Sequence, residues 1–184
     1  MPSCALAANS HVAFTHLVSG RLVDHVVYEP TPDGFAHYLE DLGIAHFSAA
    51  EFTRVRYPQW APTPILLPKR DWWPRAGALA LVLELCRTAC GNRPIAIAHW
   101  WRPFDYNRMV TRTKSKPDGT KHSDHIGAYA VDADFESVAA KNAALAKVIQ
   151  PMYSTGLFEM SIGEGTRRLH IGLYAGRGQR RWKY

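Results

Sequence analysis

The chain has 184 residues, of which 47% are hydrophobic and 21% are charged, as in ordinary globular proteins. No apolar stretch of the sequence is long enough to cross a bilayer, and residues 1–10 lack the basic start and apolar run of a secretory signal, so we expect a soluble protein. The formal net charge of +6 predicts attraction to polyanions in general, without selecting one kind of partner. Three cysteines, Cys4, Cys86 and Cys90, do not indicate a disulfide framework.

The first half of the chain predicts mainly helices. Residues 21–28 are a candidate strand, and residues 35–42 follow a short helical pattern. The segment 48–51, Ser-Ala-Ala-Glu, is typical of a capping box that begins a second short helix. A longer helix is predicted from Pro74 to Gly91-Asn92, because its apolar residues recur at helical spacing between a proline and a glycine. Residues 95–99 then form a short buried strand.

The second half of the chain predicts strands with inserted helices. In order, the pattern indicates a helix at 105–113, a polar loop at 114–122, a strand at 128–135, a helix at 136–152, and a closing pair of strands at 157–163 and 168–174. We therefore expect one α+β domain over residues 1–184, with a small antiparallel sheet and helices packed on one of its faces.

The segment 123–132, Ser-Asp-His-Ile-Gly-Ala-Tyr-Ala-Val-Asp, is the most informative for chemistry. It places His125 at the end of a loop and Asp132 seven residues later on a strand, with Gly127 permitting a tight turn between them. Far downstream, His170 lies within an apolar strand. Two imidazoles and one carboxylate form a three-ligand set that leaves the fourth position of a tetrahedral zinc open for the water that a hydrolase needs.

Each of these residues has a simpler explanation when it is taken alone. A histidine on an apolar strand, such as His170, is more often a hydrogen-bonded core residue than a ligand. Asp132 can be a sheet residue paired with a neighbouring arginine, and His125 can be an exposed loop residue. The joint pattern, with its small residues as spacers, favours the metal site over these three separate explanations.

The pattern Ser-x-His-x-x-Gly-x-Ala-x-Asp, followed by a distant strand histidine, resembles that of the zinc D-alanyl-D-alanine carboxypeptidases and endolysin peptidases. Their superfamily shares its fold with the hedgehog signalling domain. The likeness extends upstream to Phe47-Ser48 with Glu51-Phe52, to Arg93-Pro-Ile-Ala-Ile97 and to Trp101-Arg-Pro-Phe-Asp-Tyr-Asn107. It covers residues 45–175, the expected peptidase core, and leaves residues 1–44 as an N-terminal extension.

The resemblance implies that His125, Asp132 and His170 bind Zn²⁺, and that Arg102 contacts the carboxylate or the developing oxyanion of a substrate. It also implies a zinc-dependent peptidase that cuts stem or cross-link peptides of peptidoglycan by a zinc-activated water, as a D,D-carboxypeptidase or an endopeptidase. Such an enzyme acts at the cell wall, outside the cell or in the periplasm, or as a phage-type lysin released from the cytoplasm.

The general base is where the chain departs from this family. Many members carry Asp or Glu three residues before the final histidine, and here that residue is Arg167. Other members place a Glu six residues before it, which makes Glu164 the candidate catalytic base, with Glu159 and Asp124 as alternatives. Glu164 can equally be a turn carboxylate paired with a neighbouring arginine.

Two further expectations remain open at this point. Ser123 is a candidate substrate-binding residue, although it can also be a solvated loop residue. Arg167 and Gly172, where many relatives have Asp or Ser, keep open a catalytically weak or inactive zinc-stabilised module of a virion or cell-wall-binding protein. The basic C-terminus carries no recognised nucleic-acid-binding motif, so we expect no nucleic-acid partner and a monomer.

Overall fold

The computed structural model describes residues 11–18, 21–111, 123–156, 158–174 and 176–184, which form an α+β fold. The predicted loop 114–122 and Cys4 lie outside the described residues. The helices are α1 (Pro32–Asp41), α2 (Ala49–Thr53), α3 (Trp73–Ala89), α4 (Phe104–Thr111), α5 (Val138–Ala144) and α6 (Gln150–Thr155), with a π-helical turn at Leu145–Ile149 and 3₁₀ turns at Pro58–Trp60 and Arg70–Trp72. None of the helices in the described residues has the length and apolar character needed to cross a membrane.

The helix ends follow the signals in the sequence. The predicted capping box is confirmed, because the Ser48 hydroxyl accepts a hydrogen bond from the Glu51 N–H while the Glu51 carboxylate accepts one from the Ser48 N–H. Helix α3 has its proline in the first turn and is followed by Gly91, whose φ of +76° suits a residue without Cβ. The predicted helix 136–152 is instead α5, the π-helical turn and α6, because Pro151 lacks the N–H that a regular α-helix would use there.

Five strands form the main sheet of the described residues, in the order β3-β4-β6-β5-β7. These strands are β3 (Ile95–His99), β4 (Ala130–Phe135), β5 (Met160–Glu164), β6 (Arg168–Leu173) and β7 (Arg180–Lys183). The predicted antiparallel sheet is wrong in one respect: β7 pairs in parallel with β5, so the sheet is mixed. Strand β7 reads Arg-Arg-Trp-Lys and carries no apolar alternation that would have revealed it. A separate antiparallel hairpin joins β1 (His11–Val18) and β2 (Arg21–Tyr28).

The two faces of the main sheet have different characters. On β4, Val131, Ala133 and Phe135 belong to the hydrophobic core, while the alternating Asp132 points to the opposite face. Strand β6 repeats this division, with its apolar residues in the core and His170 on the face of Asp132. Helices α2, α3 and α5 contact the strands from the core side. The polar face is therefore the one on which a site can form.

The segment before residue 45 contributes to the same core. Phe35 and Leu39 of α1 are buried and pack in one cluster with Phe52 and Trp73. The ring of Phe35 also stacks on the ring of Trp100, with 5.6 Å between the centroids. Trp100 directly follows β3, so α1 supports the segment that leads from the sheet to the candidate site.

Candidate metal centre

One row of residues crosses the polar face of the sheet from edge to edge. His99, Asp132, His170, Gly163 and Trp182 are successive register partners on β3, β4, β6, β5 and β7. Gly163 is needed in this row, because a Cβ there would lie 2.8 Å from the rings of Trp182 and of a second C-terminal aromatic residue. The Trp182 ring instead lies over the glycine, 5.1 Å from the His170 ring. Asp132 is thus flanked by a histidine on each neighbouring strand.

The structure brings together the three predicted metal ligands. His125, Asp132 and His170 are all buried, and one potential ligand atom from each lies within 4.8 Å of the other two. Asp132 Oδ1 lies 3.2 Å from His125 Nε2 and 3.0 Å from His170 Nδ1. The two imidazole rings are 4.9 Å apart and nearly perpendicular. One carboxylate oxygen and two ring nitrogens therefore converge on the same point.

The hydrogen bonding of His125 leaves its inner nitrogen available to a cation. Its Nδ1 lies 2.6 Å from the carbonyl oxygen of Trp100, which can only accept, so Nδ1 carries the proton. Burial lowers the pKa of His125 to about 4, although Asp132 opposes this shift, and the ring is neutral at pH 7. The unprotonated Nε2 is buried and has no hydrogen-bond partner among the described residues. It faces the Asp132 oxygen at 3.2 Å, and two such acceptors repel each other unless a proton or a metal ion lies between them.

His170 is held by a second carboxylate on its outer side. Its Nε2 lies 3.5 Å from Asp124 Oδ2 and 3.3 Å from the hydroxyl of Ser161, which donates to the same Asp124 oxygen at 2.5 Å. Arg180 Nη2 contacts both Asp124 oxygens, at 2.7 and 2.8 Å. Burial alone would raise the pKa of Asp124, but these hydrogen bonds outweigh it and hold the pKa well below its ordinary value. An ionised Asp124 favours the proton on Nε2 and leaves Nδ1 of His170 as the ligand atom.

The glycine at position 172 makes room for this arrangement. A Cβ there would collide with the Ser161 hydroxyl and would lie 3.1 Å from Asp124 Oδ2. Gly172, like Arg167, is a position at which the chain departs from the pattern of the family it resembles. The departure has a structural reason, because the carboxylate of Asp124 occupies the space beside this residue.

Replacing Asp124 with asparagine is expected to weaken zinc binding by about 10- to 100-fold, the usual contribution of a carboxylate that orients a histidine ligand. The physical reason is that a neutral amide no longer fixes the proton of His170 on Nε2. The measurement is a zinc titration of the purified variant against the wild type. Asp105→Asn, which changes an exposed aspartate on α4, is the matched control. Equal zinc affinity for Asp124→Asn and the wild type would exclude this role.

The loop that carries His125 is fixed by the residues after β3. The indole N–H groups of Trp100 and Trp101 donate to the carbonyls of Ala128 and Ile126, at 3.0 and 3.2 Å. The Arg102 N–H donates to the carbonyl of His125 itself at 3.0 Å. The motif 123–128 and the segment 100–102, which are distant in sequence, therefore form one rigid unit beside the sheet.

Ser123, predicted to bind substrate, lies within this loop. Its hydroxyl accepts a hydrogen bond from the N–H of His125 at 3.3 Å. This contact is a local turn that orients the histidine. The structure thus places Ser123 beside the cluster, with a role in holding the loop.

Arg102 also lies at the cluster. It is buried, and its Nη2 is 3.2 Å from Asp132 Oδ2, the oxygen turned away from the two histidines. Its Nε is buried without a hydrogen-bond partner in the described part of the chain. Arg102 therefore orients the carboxylate and keeps a spare donor beside it.

Glu164, the candidate base, is not brought to the cluster. Its register partner is Leu169, so it lies on the opposite face from His170, and its carboxylate is 2.6 Å from Arg181 Nε on β7. The alternative Glu159 binds backbone N–H groups at Gly176 and Gly178 and holds that loop. Of the three proposed carboxylates, the structure places only Asp124 next to a ligand, and that residue is already paired with arginine.

The sequence analysis missed His99, which lies at the same cluster. Simple alternation along β3 would place His99 on the core face with Ile95 and Ile97. The register instead shifts at this point: Ile97 pairs with Ala133 and His99 pairs with the next residue, Asp132, which leaves Ala98 as a β-bulge. The bulge turns His99 onto the polar face, and its Nδ1 lies 3.5 Å from Asp132 Oδ2. A bulge is not visible in a five-residue apolar pattern.

Comparisons of the chain with models of known protein families, with curated proteins and with solved structures give no match. The chemical interpretation of the cluster therefore depends on its own geometry. That geometry consists of three buried candidate ligands, two on the polar face of the mixed sheet and one on the loop before β4, each with an outer hydrogen-bond partner.

Proposed function

We propose that this protein is a zinc-dependent peptidase that hydrolyses stem or cross-link peptides of peptidoglycan, with a fold of the hedgehog and D,D-peptidase type. The observation that carries the proposal is the unprotonated Nε2 of His125, buried 3.2 Å from Asp132 Oδ1 with His170 on the other side of the carboxylate. The choice of peptide substrates and of the cell wall as the place of action comes from the resemblance of the segment 123–132 to the zinc carboxypeptidases and endolysins.

The donor set suits zinc. Two imidazole nitrogens and one carboxylate oxygen are the ligands of many catalytic zinc sites with an open fourth position. When bound, the ion lowers the pKa of a coordinated water to about 7 and polarises a carbonyl group. Groups of this protein perform two further tasks: the main-chain carbonyl of Trp100 and the carboxylate of Asp124 hold the two histidines in their tautomers, and Arg102 offers a donor to an anionic substrate group.

A second candidate function is a zinc-stabilised module without catalysis. The observation that favours it concerns the carboxylates of the described residues: those that contact the predicted histidine ligands are Asp132 and Asp124, and both are engaged by arginine. A hydrolase needs a proton acceptor for its attacking water, and a carboxylate held in an ion pair is a weak one. Metal binding without turnover is what this alternative predicts.

The test is to load the purified protein with one equivalent of zinc and to incubate it with purified peptidoglycan. Release of D-alanine or of shortened peptides, and its loss when a chelator removes the metal, is the expected result. Zinc bound at one per chain without any released product would favour the non-catalytic module. Failure to bind zinc would exclude both functions.

Replacing Glu164 with glutamine is expected to leave turnover on wall peptides unchanged, because the carboxylate lies on the opposite face from His170. The Glu164 side chain is only 11% exposed, so loss of its charged hydrogen bond with Arg181 should lower the free energy of unfolding by about 1–3 kcal/mol. Steady-state kinetics and thermal unfolding measure the two quantities. A loss of turnover of about 10²- to 10⁴-fold, with zinc still bound, would restore Glu164 as the general base. Glu136→Gln, at an exposed glutamate that pairs with Arg93 away from the cluster, is the matched control.

A further inference from the structure

His99 is a buried histidine whose hydrogen-bonding groups are not used by the described chain. The residue is 7% exposed, and neither ring nitrogen has a hydrogen-bond partner among the described residues. The nearest carboxylate oxygen, Asp132 Oδ2, lies 3.5 Å from Nδ1, within the range of an ion pair but without a hydrogen bond to it. Leaving a buried donor and a buried acceptor unsatisfied is destabilising, so an unpartnered imidazole calls for an explanation.

The surroundings of His99 show that packing alone does not explain it. The ring stacks on Tyr57, with 6.1 Å between centroids and an interplanar angle of 25°. An apolar ring would make the same stack without the cost of burying two polar atoms. The β-bulge at Ala98 is also specific, since a regular strand would turn His99 into the core. The chain therefore places a polar side chain at this position and directs it to the polar face.

The position of His99 relative to the metal ligands indicates what it faces. It flanks Asp132 on β3 as His170 flanks Asp132 on β6, and its ring is 6.5 Å from the ring of His125. Arg102 contacts the same Asp132 oxygen through its Nη2. Its Nε, a second donor, has no hydrogen-bond partner in the described residues. Unused hydrogen-bonding groups on two different segments thus lie beside one carboxylate.

We propose that His99 is a substrate-contacting residue that hydrogen-bonds a main-chain peptide group of the ligand held at the metal cluster. A neutral imidazole provides one donor and one acceptor, which match the carbonyl oxygen and the N–H of a peptide group. This inference rests on the proposed metal-dependent function and extends it by naming the recognised group.

The experiment uses acetohydroxamate, a zinc-binding probe that carries the carbonyl and N–H of a peptide group. Its dissociation constant is measured by calorimetry on zinc-loaded wild type, His99→Phe and His99→Gln. Phenylalanine keeps the stack on Tyr57 and loses both polar atoms, so we expect binding to weaken by about 3- to 10-fold. Glutamine retains a donor and an acceptor and should remain close to wild type. His37→Phe, at an exposed histidine of α1, is the matched control and should bind as the wild type does.

The outcomes separate this inference from the proposed function. Equal affinity in His99→Phe and the wild type, or an equal loss in His99→Phe and His99→Gln, overturns the role of His99. Loss of zinc from His99→Phe also overturns it, because His99 would then act on the metal site and not on the ligand. If the wild type cuts no wall peptide but its acetohydroxamate affinity depends on His99 as expected, the peptidase function fails while the contact stands. If the wild type cuts wall peptides but His99→Phe and His99→Gln bind acetohydroxamate with the same affinity, the peptidase function stands and the role of His99 fails.

Discussion

Under the proposed function, replacing His125 with alanine is expected to abolish zinc binding and, with it, all activity on wall peptides. The residue is 1% exposed and contributes the one proposed ligand nitrogen that has no hydrogen-bond partner in the described chain. Loss of an outer hydrogen-bond partner typically lowers metal affinity by about 10- to 100-fold, and loss of a ligand itself should lower it further. Zinc content per chain and a zinc titration measure the effect.

Thermal unfolding provides an independent measurement of the same prediction. A ligand that binds only the folded state stabilises it by about 2.7 kcal/mol when its concentration is 100 times its dissociation constant. Added zinc should therefore raise the melting temperature of the wild type and leave that of His125→Ala unchanged. His46→Ala removes an exposed histidine that pairs with Glu84 and should respond to zinc as the wild type does. One zinc per chain in a His125→Ala, His170→Ala double variant would exclude the assigned ligands.

The elements with strong periodicity could be predicted from the sequence. Helix α3 was expected from Pro74 to Gly91 and spans Trp73–Ala89, because a long amphipathic pattern with a proline and a glycine at its ends admits few alternatives. The strand predicted at 168–174 is also observed, as Arg168–Leu173, because every second residue of this segment is a large apolar one. Strand β7 has no such pattern, and its pairing depends on contacts with β5 that lie far away in sequence.

The three proposed ligands could also be predicted, because each is specified by local spacing. His125 and Asp132 belong to one short motif, and His170 lies on an apolar strand whose alternation places it on a polar face. Glu164 shows the limit of such reasoning. Its distance in sequence from His170 suited a base, but the register of the β5–β6 pair places it opposite Leu169, on the other face.

The outer partners of the cluster could not be predicted, since they depend on packing between distant segments. Asp124 approaches His170 only because Gly172 has no side chain and because Ser161 donates to the same carboxylate. His99 reaches Asp132 only through the bulge at Ala98. These contacts involve the loop after α4 and strands β3, β4, β5 and β6, so no local pattern in any one of them carries the information.

Replacing Arg102 with alanine is expected to have the second large effect, and to act on stability and turnover separately. Arg102 and Asp132 form a buried ion pair with 3.2 Å between Nη2 and Oδ2. Removing one partner of such a pair typically lowers the free energy of unfolding by about 3–5 kcal/mol, because the remaining charge is buried without compensation. Bound zinc supplies positive charge to the same carboxylate, so added zinc should restore most of the lost stability.

Zinc should not restore turnover: zinc-loaded Arg102→Ala should cut wall peptides about 10²- to 10³-fold more slowly than the wild type, which is the usual effect of removing a donor to a developing oxyanion. Arg102→Lys separates the two roles, because its ammonium retains the charge beside Asp132 but lacks the planar set of donors that includes the unpartnered Nε. We expect Arg102→Lys to be nearly as stable as the wild type in chelator and still to be impaired in turnover. The measurements are thermal unfolding with and without zinc, and steady-state kinetics at full zinc loading. Wild-type turnover in both variants would mean that Arg102 serves only to neutralise Asp132, and the donor to the substrate would then have to be a different residue.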